Sequence, residues 1–151
     1  MDTGKGALDA GRSLVIDRVD TFDSHTKGFR RDWWEAPIRN SILSRRELYT
    51  WAGEGGEVVR AQLHQEHELG RAYEEMAGFG PVWLIEYFEV RTDLRRRGVG
   101  HQALGQLSGL RPRRALAAFS AGVDEFWASA GWRACTRMDG DDYHSALFLS
   151  T

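Results

Sequence analysis

Apolar and polar positions divide the chain into short segments of alternating strand and helix character. The strongest is Val82-Trp83-Leu84-Ile85-Glu86-Tyr87-Phe88-Glu89-Val90, which reads as a long, largely buried strand. Leu14–Val19 predicts a first strand, after a glycine-bearing leader over residues 1–12. Glu47–Ala52 and Glu57–Leu63 predict a hairpin around Gly53-Glu54-Gly55-Gly56. Residues 23–45 predict two helical pieces broken near Pro37, because proline cannot continue the hydrogen-bond ladder. Residues 66–78 are ambiguous; a short helix ended by Gly78-Phe79-Gly80-Pro81 is the expectation. A helix over 99–110, a strand at 114–119, a short helix at 123–130 and closing strands near 133–138 and 144–150 complete the pattern. The run Asp139-Gly140-Asp141-Asp142 is a turn signal. A mixed α/β fold with a central, partly antiparallel sheet follows.

Composition narrows the class. A chain of 151 residues, 42% apolar and 28% charged, suits one soluble domain over 1–151. No stretch approaches the ~20 apolar residues that span a bilayer, and Met1–Gly6 lacks a signal-peptide core. A cytoplasmic protein with no membrane partner is the expectation. The single Cys135 excludes an internal disulfide and a multi-cysteine zinc site. A net charge of −2 argues against a general nucleic-acid binder.

The charge distribution says more. Residues 1–80 hold 11 basic and 14 acidic side chains, whereas residues 81–151 hold 9 and 8. In the second half Arg91, Arg95, Arg96 and Arg97 crowd the turn after the long strand. Gly98 and Gly100 stand at the mouth of the next helix. Glycines admit close backbone approach, and the unpaired N–H groups of a first helical turn face the guest. This is a plausible anion site, and a pyrophosphate is its natural guest. A second group, Arg111, Arg113 and Arg114, follows that helix and could meet the nucleotide end of the same guest.

Arg95-Arg96-Arg97-Gly98-Val99-Gly100 resembles the Arg/Gln-x-x-Gly-x-Gly signature of the GCN5-related N-acetyltransferases (GNAT superfamily). Val90 resembles the apolar residue ending that family's fourth strand. Phe126-Trp127-Ala128-Ser129-Ala130-Gly131-Trp132 is similar to the family's aromatic-Tyr-x-x-x-Gly-Phe helix end. The resemblance covers about residues 81–138 and has no counterpart in 1–80.

It implies a GNAT-like acyl-CoA N-acyltransferase fold of six or seven strands, with the fourth and fifth splayed around acetyl-CoA as co-substrate. The pantetheine would pair with backbone from Phe88 to Val90. The pyrophosphate would sit over Arg95, Arg96, Arg97, Gly98, Val99 and Gly100, Ser120 would flank the cofactor, and Trp127 would pack beside the pantetheine arm or in the core. The implied activity is direct acetyl transfer to a primary amine of a small molecule or peptide. An ammonium must lose a proton before it attacks, and a carboxylate can take it. Glu86, acidic within an apolar strand, is the candidate, as base or as the group that positions the amine. The alternative is a rim glutamate with a salt-bridge partner, and Glu89, on the opposite face, is the weaker candidate.

The chain departs from the family where a tyrosine usually protonates the thiolate. Trp127 stands there, and an indole N–H cannot supply a proton at any useful pH. Tyr143, Ser129 or Cys135 could substitute, or solvent could. The alternative is a non-catalytic acyl-CoA sensor or an interaction domain with the same fold. The fold admits a homodimer whose partner strands complete the sheet. His64 and His67 could offer two metal ligands but lack a third, so no metal is expected. His101 reads as a solvated helix residue, Trp33, Trp34 and Trp51 as core or acceptor-pocket aromatics, and Cys135 as a small buried residue.

Overall fold

A computed structural model describes residues 14–35, 46–53, 55–66, 69–77, 82–110, 115–140 and 146–150. Seven strands form one mixed sheet in the order β1-β2-β3-β4-β5-β7-β6. They are β1 (Val15–Val19), β2 (Arg46–Gly53), β3 (Gly56–Glu66), β4 (Val82–Val90), β5 (Leu116–Phe119), β6 (Arg133–Ala134) and β7 (Leu147–Leu149). The helices are α1 (Arg31–Glu35), α2 (Val99–Leu110) and α3 (Asp124–Ser129). The chain divides into two compact units. The first comprises residues 1–62 and 87–107, the second 63–86 and 108–151.

In the first unit β1 runs antiparallel to β2, with Ile16 opposite Trp51. β2 and β3 are the expected hairpin arms. Trp51, Val59 and Ala61 are fully enclosed. Along α2 the buried positions are Val99, Gly100, Ala103, Leu104 and Leu107, a helical stripe one turn apart. Gln106 donates its side-chain N–H to the Leu14 carbonyl at 3.1 Å.

The two long helical pieces expected over 23–45 are replaced, where described, by turns and the five-residue α1. Asp23 explains the difference. Its carboxylate accepts the His25 N–H at 2.9 Å and its carbonyl accepts that of Thr26 at 3.3 Å, a turn that competes with helix. Gly28 then adopts φ +95°, and a side chain there would collide with Arg91. Residues 36–45, with the expected break at Pro37, lie outside the described residues.

In the second unit β5 pairs in parallel with β4 and antiparallel with β7, and β6 caps β7. The core gathers Tyr73, Met76, Val82, Leu84, Ala117, Leu147 and Leu149, with Cys135 packed against it. The expected helix over 66–78 resolves, where described, into 3-10 turns at Leu69–Arg71 and Glu74–Met76. The strand expected over 133–138 is only two residues long, because the chain changes partners. Cys135 donates its N–H to Leu147, but Thr136 accepts from Glu74 and Met138 donates to Ala72.

Candidate functional site

β4 carries the expected residues in order, and its two ends belong to different units. The parallel pairing with β5 covers Trp83–Ile85 and ends at Ile85 opposite Ala118. β4 then runs five residues further, from Glu86 to Val90.

In the first unit, Phe88 packs edge-on against Trp51, ring centroids 6.1 Å apart, and Val90 leads into the arginine turn. Arg91 donates its backbone N–H to the Val58 carbonyl at 2.8 Å, tying the start of the turn to β3. A 3-10 turn at Thr92–Leu94 follows. Arg96 is left-handed at φ +63° and Gly98 at φ +78°, with α2 starting at the next residue. A Cβ on Gly98 would meet open space, so its backbone angle is what favours glycine there. Gln102 donates to the Gly98 carbonyl at 3.1 Å, closing the first helical bond. The amides ahead of it have no intrahelical acceptor.

The four arginines of this turn are not equivalent. Arg91 is committed to Asp93, through Nε at 2.6 Å, and to the Glu57 carbonyl at 3.1 Å. That guanidinium holds the exposed Asp93 carboxyl below its ordinary pKa. Arg95 donates to the Val90 carbonyl and to Glu89, both at 3.1 Å, with half its side chain exposed. Arg96 and Arg97 are exposed. The structure thus brings Arg95–Gly98 into one exposed bend with cationic side chains, directly ahead of α2. That helix opens on buried Val99 and Gly100, and its first amides have no intrahelical acceptor, a combination suited to an oligophosphate.

Glu89 emerges as a structural carboxylate. It is buried and accepts both the Arg30 N–H and the Trp34 indole N–H.

In the second unit, Glu86 is half-buried and forms an ion pair with His64 Nδ1. His64 Nε2 lies 3.3 Å from Glu66. The hydrogen bond that His64 donates to Glu86, opposed by burial and supported by the charges of both glutamates, raises the His64 pKa above 6.5. A carboxylate oriented by an imidazole on the neighbouring strand can accept and pass on a proton. From sequence His64 is no more than one of two possible metal ligands. Its pairing depends on the register between β3 and β4, which periodicity does not set. Among the described residues no group of three or more His, Cys, Asp or Glu is arranged to hold a metal ion. His67 lies outside them.

Ser120 and Trp127 belong to the scaffold of α3. Ser120 is buried, its hydroxyl on Asp124 and accepting the Gly122 N–H at 3.1 Å. Trp127 is buried between Phe126 and Trp132, with centroids at 5.0 and 4.9 Å. Cys135 is half-buried, and burial beside Glu75 pushes its thiol up to about 11, which leaves no useful thiolate at neutral pH. His101 is exposed on α2. Arg111, Arg113, Arg114 and Tyr143 lie outside the described residues.

No family model and no curated protein matches the chain. Solved structures do. YhhK from E. coli, provisionally assigned as an N-acetyl transferase and bound to coenzyme A, is 16% identical. Its match covers 90% of this chain and 97% of YhhK, with a TM-score of 0.56. A provisionally assigned GNAT-family acetyltransferase from Desulfovibrio desulfuricans is 11% identical, over 91% and 98% of the two chains, at 0.57. The KacTA–DNA complex contributes a chain 11% identical, over 91% and 92%, at 0.55. The chain has the GNAT acyltransferase fold, and that fold does not itself exclude assemblies with nucleic acid. No helix among the described residues is long and apolar enough to cross a membrane.

Proposed function

We propose that the protein is an acetyl-CoA-dependent N-acetyltransferase acting on a primary amine. The observation that carries this reading is the bend after β4, where exposed arginines and left-handed Gly98 immediately precede the N-terminus of α2. These residues fit a pyrophosphate. Arg96 and Arg97 supply charge, Arg95 shapes the bend, and the backbone of Gly98, Val99 and Gly100 supplies N–H donors. Backbone groups from Phe88 to Val90 would receive the pantetheine amides as an added strand would. The likeness to a coenzyme A-bound neighbour supports the same assignment.

Acetyl-CoA supplies an activated thioester, and the chain's own residues prepare the amine. Glu86 takes the ammonium proton, either directly or through water. His64 fixes the Glu86 carboxylate by its ion pair. An amine freed of its proton attacks the thioester carbonyl, the C–N bond forms and the C–S bond breaks. The coenzyme A thiolate leaves and takes up, through solvent, the proton that the nitrogen sheds, so no acyl-enzyme is needed. Ser120 and Trp127, which were expected beside the cofactor, act in this reading by holding α3 in place.

Transfer to a panel of primary amines, followed by thiol release, tests the proposal. Glu86→Gln is expected to lower turnover by about 100-fold, the usual range for a lost general base, while leaving coenzyme A affinity unchanged. Full turnover in that variant would remove Glu86 from the mechanism. Coenzyme A binding with no transfer to any amine would instead indicate the acyl-CoA sensor.

A further inference from the structure

One buried carboxylate joins two parts of the first unit that the proposed reaction uses differently. Glu89 is only 4% exposed. Its oxygens accept the Arg30 N–H at 2.9 and 3.0 Å, the Trp34 indole N–H at 2.9 Å and the Arg95 guanidinium at 3.1 Å. Arg30 and Trp34 belong to the segment 22–34, and Arg95 belongs to the arginine turn. A second tie runs alongside. Thr92 donates its N–H and its hydroxyl to the Gly28 carbonyl at 3.0 and 2.9 Å. The same segment lays Trp33 and Trp34 against Tyr87 of β4, with centroids at 5.3 and 5.9 Å.

The donors differ in charge. Arg30 N–H and the Trp34 indole are neutral, whereas Arg95 brings a full positive charge to a carboxylate that has left water. A buried carboxylate is costly unless a cation and hydrogen bonds compensate it. The Arg30 guanidinium adds a weaker, unbonded attraction, so the grip of Glu89 on the segment depends in large part on where Arg95, its hydrogen-bonded cation, sits. Arg95 is half exposed and spends two of its five N–H donors on Glu89 and Val90. An anion at the turn can engage other donors and hold the guanidinium in place. Fixing Arg95 raises the occupancy of its pair with Glu89.

We propose that Glu89 is a positioning residue that couples the arginine turn to the aromatic segment 22–34, so that an anion held at the turn firms that segment. Its ligand arm rests on the pyrophosphate reading above; its structural arm does not. By linkage, whatever loosens the segment weakens the anion by the same factor.

Hydrogen exchange of the full chain, with and without coenzyme A, tests both arms. In the free protein, Arg95→Gln is expected to speed exchange across 22–34 by about tenfold or more, as removal of a charged partner from a buried group implies. Exchange in β1 and β2 should not change, and Arg95→Lys should recover part of the protection. Unaltered exchange in Arg95→Gln overturns the coupling. Coenzyme A is expected to slow exchange across 22–34 and to shift the Trp34 indole resonance in the wild type, and to do neither in Glu89→Gln. Equal slowing in both proteins overturns it as well. If coenzyme A does not bind the wild type at all, the pyrophosphate reading fails, and the free-protein comparison still decides whether Glu89 couples the two parts.

Discussion

Glu86 and Glu89 stand three residues apart on β4 and do opposite things. Glu89 is saturated by hydrogen-bond donors and fixed, while Glu86 is half-buried and paired with a titratable imidazole. From sequence both are acidic interruptions of an apolar strand, and alternation alone sends them to opposite faces. Alternation made Glu86 a candidate. It could not reveal that Glu89 anchors Trp34, 55 positions away, or that His64 supports Glu86.

The His64 pair has a pH signature. Because Glu86 raises the native pKa above the unfolded value of 6.5, the stabilisation is complete below that value and is lost as pH rises through the native one. The stability gap between the wild type and His64→Gln should be widest below pH 6.5 and narrow as pH rises through the native His64 value, as urea midpoints would show. A gap constant over that range would mean that the ion pair contributes nothing.

At the scale of elements, legibility tracked how local the cause is. β4, α2 and the β2–β3 hairpin follow from apolar period and glycine placement, and the structure returns them nearly residue for residue. Residues 20–30 misled because apolar and aromatic residues lie among turn formers, and Asp23 and Gly28 decide the backbone. The strand at 133–138 was shortened by pairing with 72–74, a non-local choice that no window contains.

Gly98 tests the turn as an element. Its φ of +78° costs a substituted residue about 1–2 kcal/mol, and a glutamate adds like-charge repulsion to any phosphate. Gly98→Glu should weaken coenzyme A at least about tenfold, and equal affinity would move the pyrophosphate elsewhere. α3 offers a separate check. Trp127 sits between two aromatics, so Trp127→Ala should cost about 3–5 kcal/mol in urea unfolding, and Trp127→Phe much less. A loss below about 0.5 kcal/mol would contradict its place in the core.

Across the whole molecule, the fold was legible because the succession of strand and helix segments and the Arg95–Gly100 motif carry it. The structure shares that fold with solved proteins at 11–16% identity, where sequence comparison finds no family. Identity this low transmits architecture and little chemistry. Of the candidate site, the arginine–glycine bend before α2 was legible, since glycine and arginine spacing is local. The acceptor side was not, because residues 1–80 offered no motif and their contacts to β4 depend on tertiary packing.

Isothermal titration with acetyl-CoA, run beside free coenzyme A and NADH, tests the central claim most directly. The account predicts saturable heat with both coenzyme A species, none with NADH, and a rise in melting temperature. No heat with acetyl-CoA at several temperatures, together with no thermal stabilisation, would mean that the fold is present without its cofactor site.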